Sequence, residues 1–182
     1  MAVKASYYAS RYPNTHIRGF EAVMIKLQGE INKMKKKSER GLVEAALFIR
    51  HDTERTPYIT PRDYGNLRAS WIIVSKSGLE NDPLNYSGHF KRNAKKNISI
   101  ATFKMWYSDA IAEARAIVSA NIERASVMFG YTANYAMYVH ENMDAQFSQE
   151  NSGPKWFQES MDRNQSKFIQ IIRETSKVTG AR

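Results

Sequence analysis

The sequence predicts an α+β fold: a small, mostly antiparallel sheet packed on one face by a long N-terminal helix and a C-terminal helix, with long loops. Three observations predict it. Apolar residues recur at spacings of three and four from Phe20 to Ile49 and again from Trp156 to Ile172, as in helices that lay one stripe on a core. Between them lie short runs of strand character, Trp71–Val74, Asn97–Phe103 and Arg124–Tyr131. The chain has 182 residues, which makes one domain the default and allows a core that needs no disulfide or metal.

Residues 1–18 are polar and Tyr-rich, with Pro13-Asn14 as a turn signal, and read as an N-terminal arm. The expected domain spans residues 19–178, leaving 179–182 as a tail. Its first helix carries Phe20, Val23, Met24, Leu27, Ile31 and Met34, then Leu42, Ala45, Ala46 and Ile49. Gly29 and Gly41 weaken it, and a break is placed near Lys37–Gly41. The lysines from Lys33 to Lys37 stand beside Glu30 and Glu39 and read as a solvated helix face. Pro57, Pro61 and Asp63 make Thr56–Gly65 a loop. Asn66–Ser70 is one helical turn before the strand Trp71–Val74.

Ser77–Lys96 is rich in Gly, Asn, Pro and Lys and reads as a long exposed loop. In Asn97–Phe103, Ile98, Ile100 and Thr102 share a face, which predicts a second strand. Residues 104–121 are an insertion whose helix is read over Tyr107–Ala120, with Ala110, Ile111, Ala114, Ile117 and Val118 as its stripe and Ser108 as N-cap. Arg124–Tyr131 is a third strand. Tyr135–Glu141 is a short helix with Tyr135, Met137, Tyr138 and Val139 partly buried. After the polar loop Asp144–Gly153, Pro154–Val178 is the last helix, with Pro154 in its first turn and Trp156, Phe157, Met161, Phe168, Ile171 and Ile172 as its stripe.

Net charge is +9, unevenly spread. Residues 56–104 hold 8 basic and 3 acidic side chains, whereas residues 105–153 hold 2 and 6. A basic surface favours polyanions, so a nucleic-acid-binding packaging or regulatory factor is the rival reading. Against it, no basic and aromatic motif of a known nucleic-acid module is present. No apolar run reaches the roughly 18 residues of a membrane span, and the first ten residues lack a signal-peptide apolar region.

The enzyme classes find little support. There is no cysteine, and His16, His51, His89 and His140 have no ligand spacing, so neither a metal nor a cofactor is expected. Phosphate-binding loops, nucleophile elbows and dinucleotide fingerprints are missing from the sequence. A carboxylate nuclease would need Asp63, Glu123 and Glu141 to converge on Mg²⁺.

The stretch Pro61-Arg-Asp63-Tyr64-Gly65-Asn-Leu67-Arg68-Ala-Ser70-Trp71 has a local physical reading. Asp63 can cap the turn it opens, and Gly65 suits a positive φ. Leu67 and Trp71 drop onto the core, leaving Arg68 for a charge-assisted bond, to Asp63 or Glu141. The plainer version is a capped turn joining helix to sheet.

Taken with Val127-Met-Phe-Gly130-Tyr-Thr-Ala-Asn-Tyr135-Ala136-Met-Tyr138-Val139-His-Glu141 and with Gly153-Pro154-Lys155-Trp156-Phe157, that stretch resembles the tail-completion (neck) proteins of long-tailed bacteriophages. Tyr64 replaces the family's usual Thr, and Met143 stands where it has a Gly. The resemblance implies a structural virion protein and no enzyme: a ring, typically hexameric, that completes the tail and joins it to the head connector. Partners would be further copies of itself, portal or connector proteins, and the tail tube or terminator protein, with DNA passing through the lumen and no membrane. The protein would be made in the host cytoplasm and end in the virion neck. Asp63, Arg68, Trp71 and Glu141 would lie near subunit or partner contacts. Lys91, Arg92, Lys95 and Lys96 on the Ser77–Lys96 loop would meet a partner or passing DNA.

Overall fold

A computed structural model of the chain describes residues 20–62, 65–78, 100–121 and 123–177. The arm over 1–18, Asp63, nearly all of the Ser77–Lys96 loop with its four basic residues, and the 179–182 tail lie outside the described residues. Two compact units divide the chain, Met1–Met34 and Lys35–Arg182.

The elements run α1 (Phe20–Arg55), α2 (Asn66–Ala69), β1 (Trp71–Ser75), α3 (Ile100–Ala120), β2 (Val127–Tyr131), α4 (Ala136–Glu141) and α5 (Trp156–Ser176). This is the expected α+β plan, a small antiparallel sheet with a long N-terminal helix packed on a C-terminal one.

Several expectations change in detail. α1 is one helix of 36 residues with no break at Lys37–Gly41. Gly41 serves a different purpose: a Cβ there would stand 3.1 Å from the carbonyl oxygen of Ile172 and 3.2 Å from its Cα. The glycine lets α1 and α5 approach backbone to backbone, and that closeness outweighs its weak helix propensity. Polar bonds fix the pair along its length. Thr175 donates to Glu44 at 2.6 Å, and Ser160 and Arg163 donate to Asp52 at 2.7 and 2.5 Å.

The predicted second strand is overturned where it is described, since Ile100–Phe103 open α3. A short alternation fits the first turn of a helix too, and the helix-compatible stripe that follows decides it. Ser108 therefore sits inside α3 and not at its cap; its hydroxyl donates back to the Met105 carbonyl at 2.9 Å. α5 begins at Trp156, two residues after Pro154.

The sheet has two strands among the described residues, paired antiparallel from Trp71↔Tyr131 to Ser75↔Val127. Helices cover both faces of β1, not one. Trp71 and Ile73 pack with Ala46 of α1 and with Phe157, while Ile72 and Val74 pack with Ile111 and Ala114 of α3. Trp71–Val74 has no polar alternate residue, which is the pattern of a strand buried on both sides.

Two apolar sets expected in the core are exposed. Met137 and Tyr138 on α4 lie open at 77% and 72%. So does the stripe on the first half of α1, which no described residue buries.

Candidate functional site

The Pro61–Trp71 connection is built around Arg68. Gly65 precedes α2 with φ 86°, the left-handed conformation expected of it. Ser70 closes α2 by donating its hydroxyl to the Leu67 carbonyl at 2.7 Å, and its own carbonyl accepts from Thr132 N–H at 2.8 Å. Arg68 then turns back on the chain. Its Nε and Nη2 both donate to the Thr60 carbonyl, at 3.0 and 2.8 Å, and Nη2 also reaches Gln149 Oε1 at 3.3 Å. Thr60 is in turn tied by its hydroxyl to the Tyr131 phenol at 2.8 Å. Burial pushes that phenol's pKa up, against the hydrogen bonds from Thr53 and Thr60.

Arg68 also forms one wall of an open cleft of about 320 Å³, together with Leu47, Arg50, His51, Glu54 and Arg62. Arg50 donates to Glu54 at 3.3 Å and lies 5.9 Å over the Trp71 ring. Burial lowers the pKa of Arg68, the Glu54 carboxylate opposes this, and Arg62 adds to it. Three guanidinium groups thus face a single carboxylate on the cleft wall. Such a cleft suits an anionic side chain by charge, and two of its arginines, Arg50 and Arg68, are already tethered.

Glu141 sits elsewhere and has its own partners. Lys155 Nζ donates to one carboxylate oxygen, and His140 Nδ1 lies 2.7 Å from the other. These bonds hold the Glu141 carboxyl below the usual carboxylate range. The Lys155 N–H donates to the His140 carbonyl at 2.8 Å, and Lys155 adopts φ 56°. The α4–α5 corner is closed by this group, with the His140 ring edge-on to Trp156 at 4.7 Å.

Of the residues singled out from sequence, Arg68 does not pair with Glu141; the Thr60 carbonyl and Gln149 take its donors instead. Trp71 is 1% exposed and is a core side chain, which leaves it no surface for a partner. Asp63, Lys91, Arg92, Lys95 and Lys96 lie outside the described residues. Sequence reasoning missed Thr60, Gln149, Arg62 and Lys155. For Lys155 a signal existed in Gly153-Pro154-Lys155. The cleft had none, because it depends on which face of α1 meets the connection. Among the described residues no group of three or more His, Cys, Asp and Glu could hold a metal ion, and no helix is long and apolar enough to cross a membrane.

No protein-family model, no curated protein and no solved structure matches the chain.

Proposed function

We propose that the protein is a structural subunit of the phage neck, forming a ring that completes the tail and joins it to the head connector. One observation carries the reading. The three sequence stretches that resemble tail-completion proteins meet in a single core cluster, Leu67 from the first, Ala133 and Ala136 from the second and Trp156 from the third. Their polar residues are spent in the same place, with Thr132 bonded to Ser70 and Lys155 to Glu141. The unit reads as a scaffold whose function lies in the surfaces that it presents.

Ring closure uses heterologous contacts, one face of a subunit meeting a different face of the next. The arginine cleft and the acidic 105–153 segment are complementary candidates for such faces. The basic residues Lys91, Arg92, Lys95 and Lys96 would serve a connector contact or line the DNA path. Antibody or gold labelling of assembled particles tests the reading: label at the head–tail vertex is expected, and label elsewhere or none sinks it. The rival, a nucleic-acid-binding factor, rests on the +9 net charge. It requires duplex DNA affinity that falls steeply with salt, whereas a neck subunit shows little affinity at any salt.

A further inference from the structure

The first half of α1 carries a row of large apolar side chains with no described residue over it. Met24, Leu27, Ile31 and Met34 follow one another by steps of 3, 4 and 3 residues. Met24 is 41% exposed, Leu27 53%, Ile31 37% and Met34 51%. Val23 and Ile25 beside them are exposed too, at 61% and 74%. Single exposed apolar residues are ordinary on a protein surface, but the four at steps of 3 and 4 form a continuous row. The register itself says what fits. Steps of 4 and 3 give a mean period of about 3.5, which keeps a narrow seam facing another helix of the same repeat. By contrast the second half of the helix, with Leu42, Ala45, Ala46 and Ile49, carries a wider stripe that is buried or half-buried in its own body.

We infer that residues 20–34 of α1 pair with the same stretch of a second copy of this chain, parallel and in register. The charges flanking the seam set the direction. With Met24 and Ile31 at the a positions and Leu27 and Met34 at d, Glu30 falls at g and Lys35 at the next e. A parallel pair brings g of one helix against the following e of the other, so Glu30 meets Lys35 of the second copy. An antiparallel pair sets g against g and e against e instead, and loses that attraction. Glu30 accepts from Lys33 on its own helix at 2.7 Å, an exposed pair that is readily exchanged. The β-branched Ile31 at a with Leu27 at d also suits a parallel two-stranded seam.

Fifteen residues make a seam of about 22 Å, only two heptads. Such a contact is weak between free monomers and gains strongly when other contacts already hold the copies together. The pair is isologous, so it adds to the heterologous contacts that close a ring and does not replace them; the inference rests on the self-association in the proposed function and not on its place in a virion.

The chain contains no cysteine, so single thiols can report the pairing without background. In the full-length protein, Leu27→Cys on the seam is compared with Gly29→Cys on the opposite face, where an added Cβ meets nothing within 4 Å. Mild oxidation should give disulfide-linked dimers several-fold faster from Leu27→Cys; equal rates, or no dimer from either, overturn the inference. Glu30→Lys should slow the Leu27→Cys linkage and Glu30→Lys with Lys35→Glu should restore it; no effect of either overturns the parallel register. A Leu27→Glu, Ile31→Glu double variant should lose self-association in sedimentation while its helical circular dichroism stays unchanged. If particles carry the label at the neck but the cysteine rates are equal, the seam is wrong and the proposed function stands. Preferential linkage with label away from the neck is the reverse.

Discussion

At the scale of single residues, the side chains that look most available in the sequence are the ones the fold consumes. Arg68 holds the Thr60 carbonyl with two donors, and Thr60 in turn anchors Tyr131. Arg68→Ala leaves that carbonyl without its charged partner, and a loss of about 1.5–3 kcal/mol in denaturant-melt stability is expected. Tyr131→Phe strips the shared partner from Thr53 and Thr60, both fully buried, and should cost about 1–3 kcal/mol in the same assay. Asp52 gives a pH signature. Burial raises its pKa, but hydrogen bonds from Ser160, Arg163 and Thr56 outweigh burial and leave it below the ordinary 3.8. A carboxyl depressed on folding stabilises the protein fully above that ordinary value and ceases to do so as pH falls through the folded one. The wild type should therefore lose stability below about pH 4 more steeply than Asp52→Asn, as read from urea melts across the acid range. Gly65 and Leu67 were legible in the sequence because a positive φ and an apolar residue after a turn are local facts. The partner of Arg68 was not, since Thr60 and Gln149 offer a carbonyl and an amide that carry no charge signal.

Among the elements, the α1–α5 pair depends on one missing side chain. Gly41→Val would press a branched side chain against the Ile172 backbone at about 3 Å, and a loss of about 1–3 kcal/mol is expected. Gly29→Ala, on the same helix in open space, should instead stabilise by about 0.5–1 kcal/mol. Thermal melts of the two variants should move in opposite directions. Glycine in a helix reads as weakness from sequence alone, because propensity is local and helix contact is not. β1 was legible as a strand from its β-branched run. Its burial on both faces was not expected, although the same four residues carry no polar alternate. The strand expected over Asn97–Phe103 misled because a short alternation such as Ile100–Phe103 also fits the opening turn of α3.

For the whole molecule, the order of elements follows from the sequence apart from the strand expected over Asn97–Phe103, while the surfaces that decide function follow only from how the elements meet. The exposed half of α1 and the arginine cleft carry apolar and charged residues that would serve equally well in a core or a solvated face. Their roles depend on what covers them. If the acidic 105–153 segment meets the basic 56–104 segment between subunits, raising ionic strength should loosen the ring, and reversing Lys95 and Lys96 to Glu should do the same in sedimentation. A salt-insensitive ring would argue for an apolar contact. Finally, the pairing Ser75↔Val127 holds side by side two points of the chain more than fifty residues apart. The chain between them is an excursion that begins and returns at one place, and α3 alone among its described elements is tied to β1. Both ends of the excursion therefore hang on one ladder, whose register from Trp71↔Tyr131 to Ser75↔Val127 fixes where it leaves and where it returns. The sheet works as a clasp that gathers both ends of the excursion at one place, with α3 fastened to the same strand.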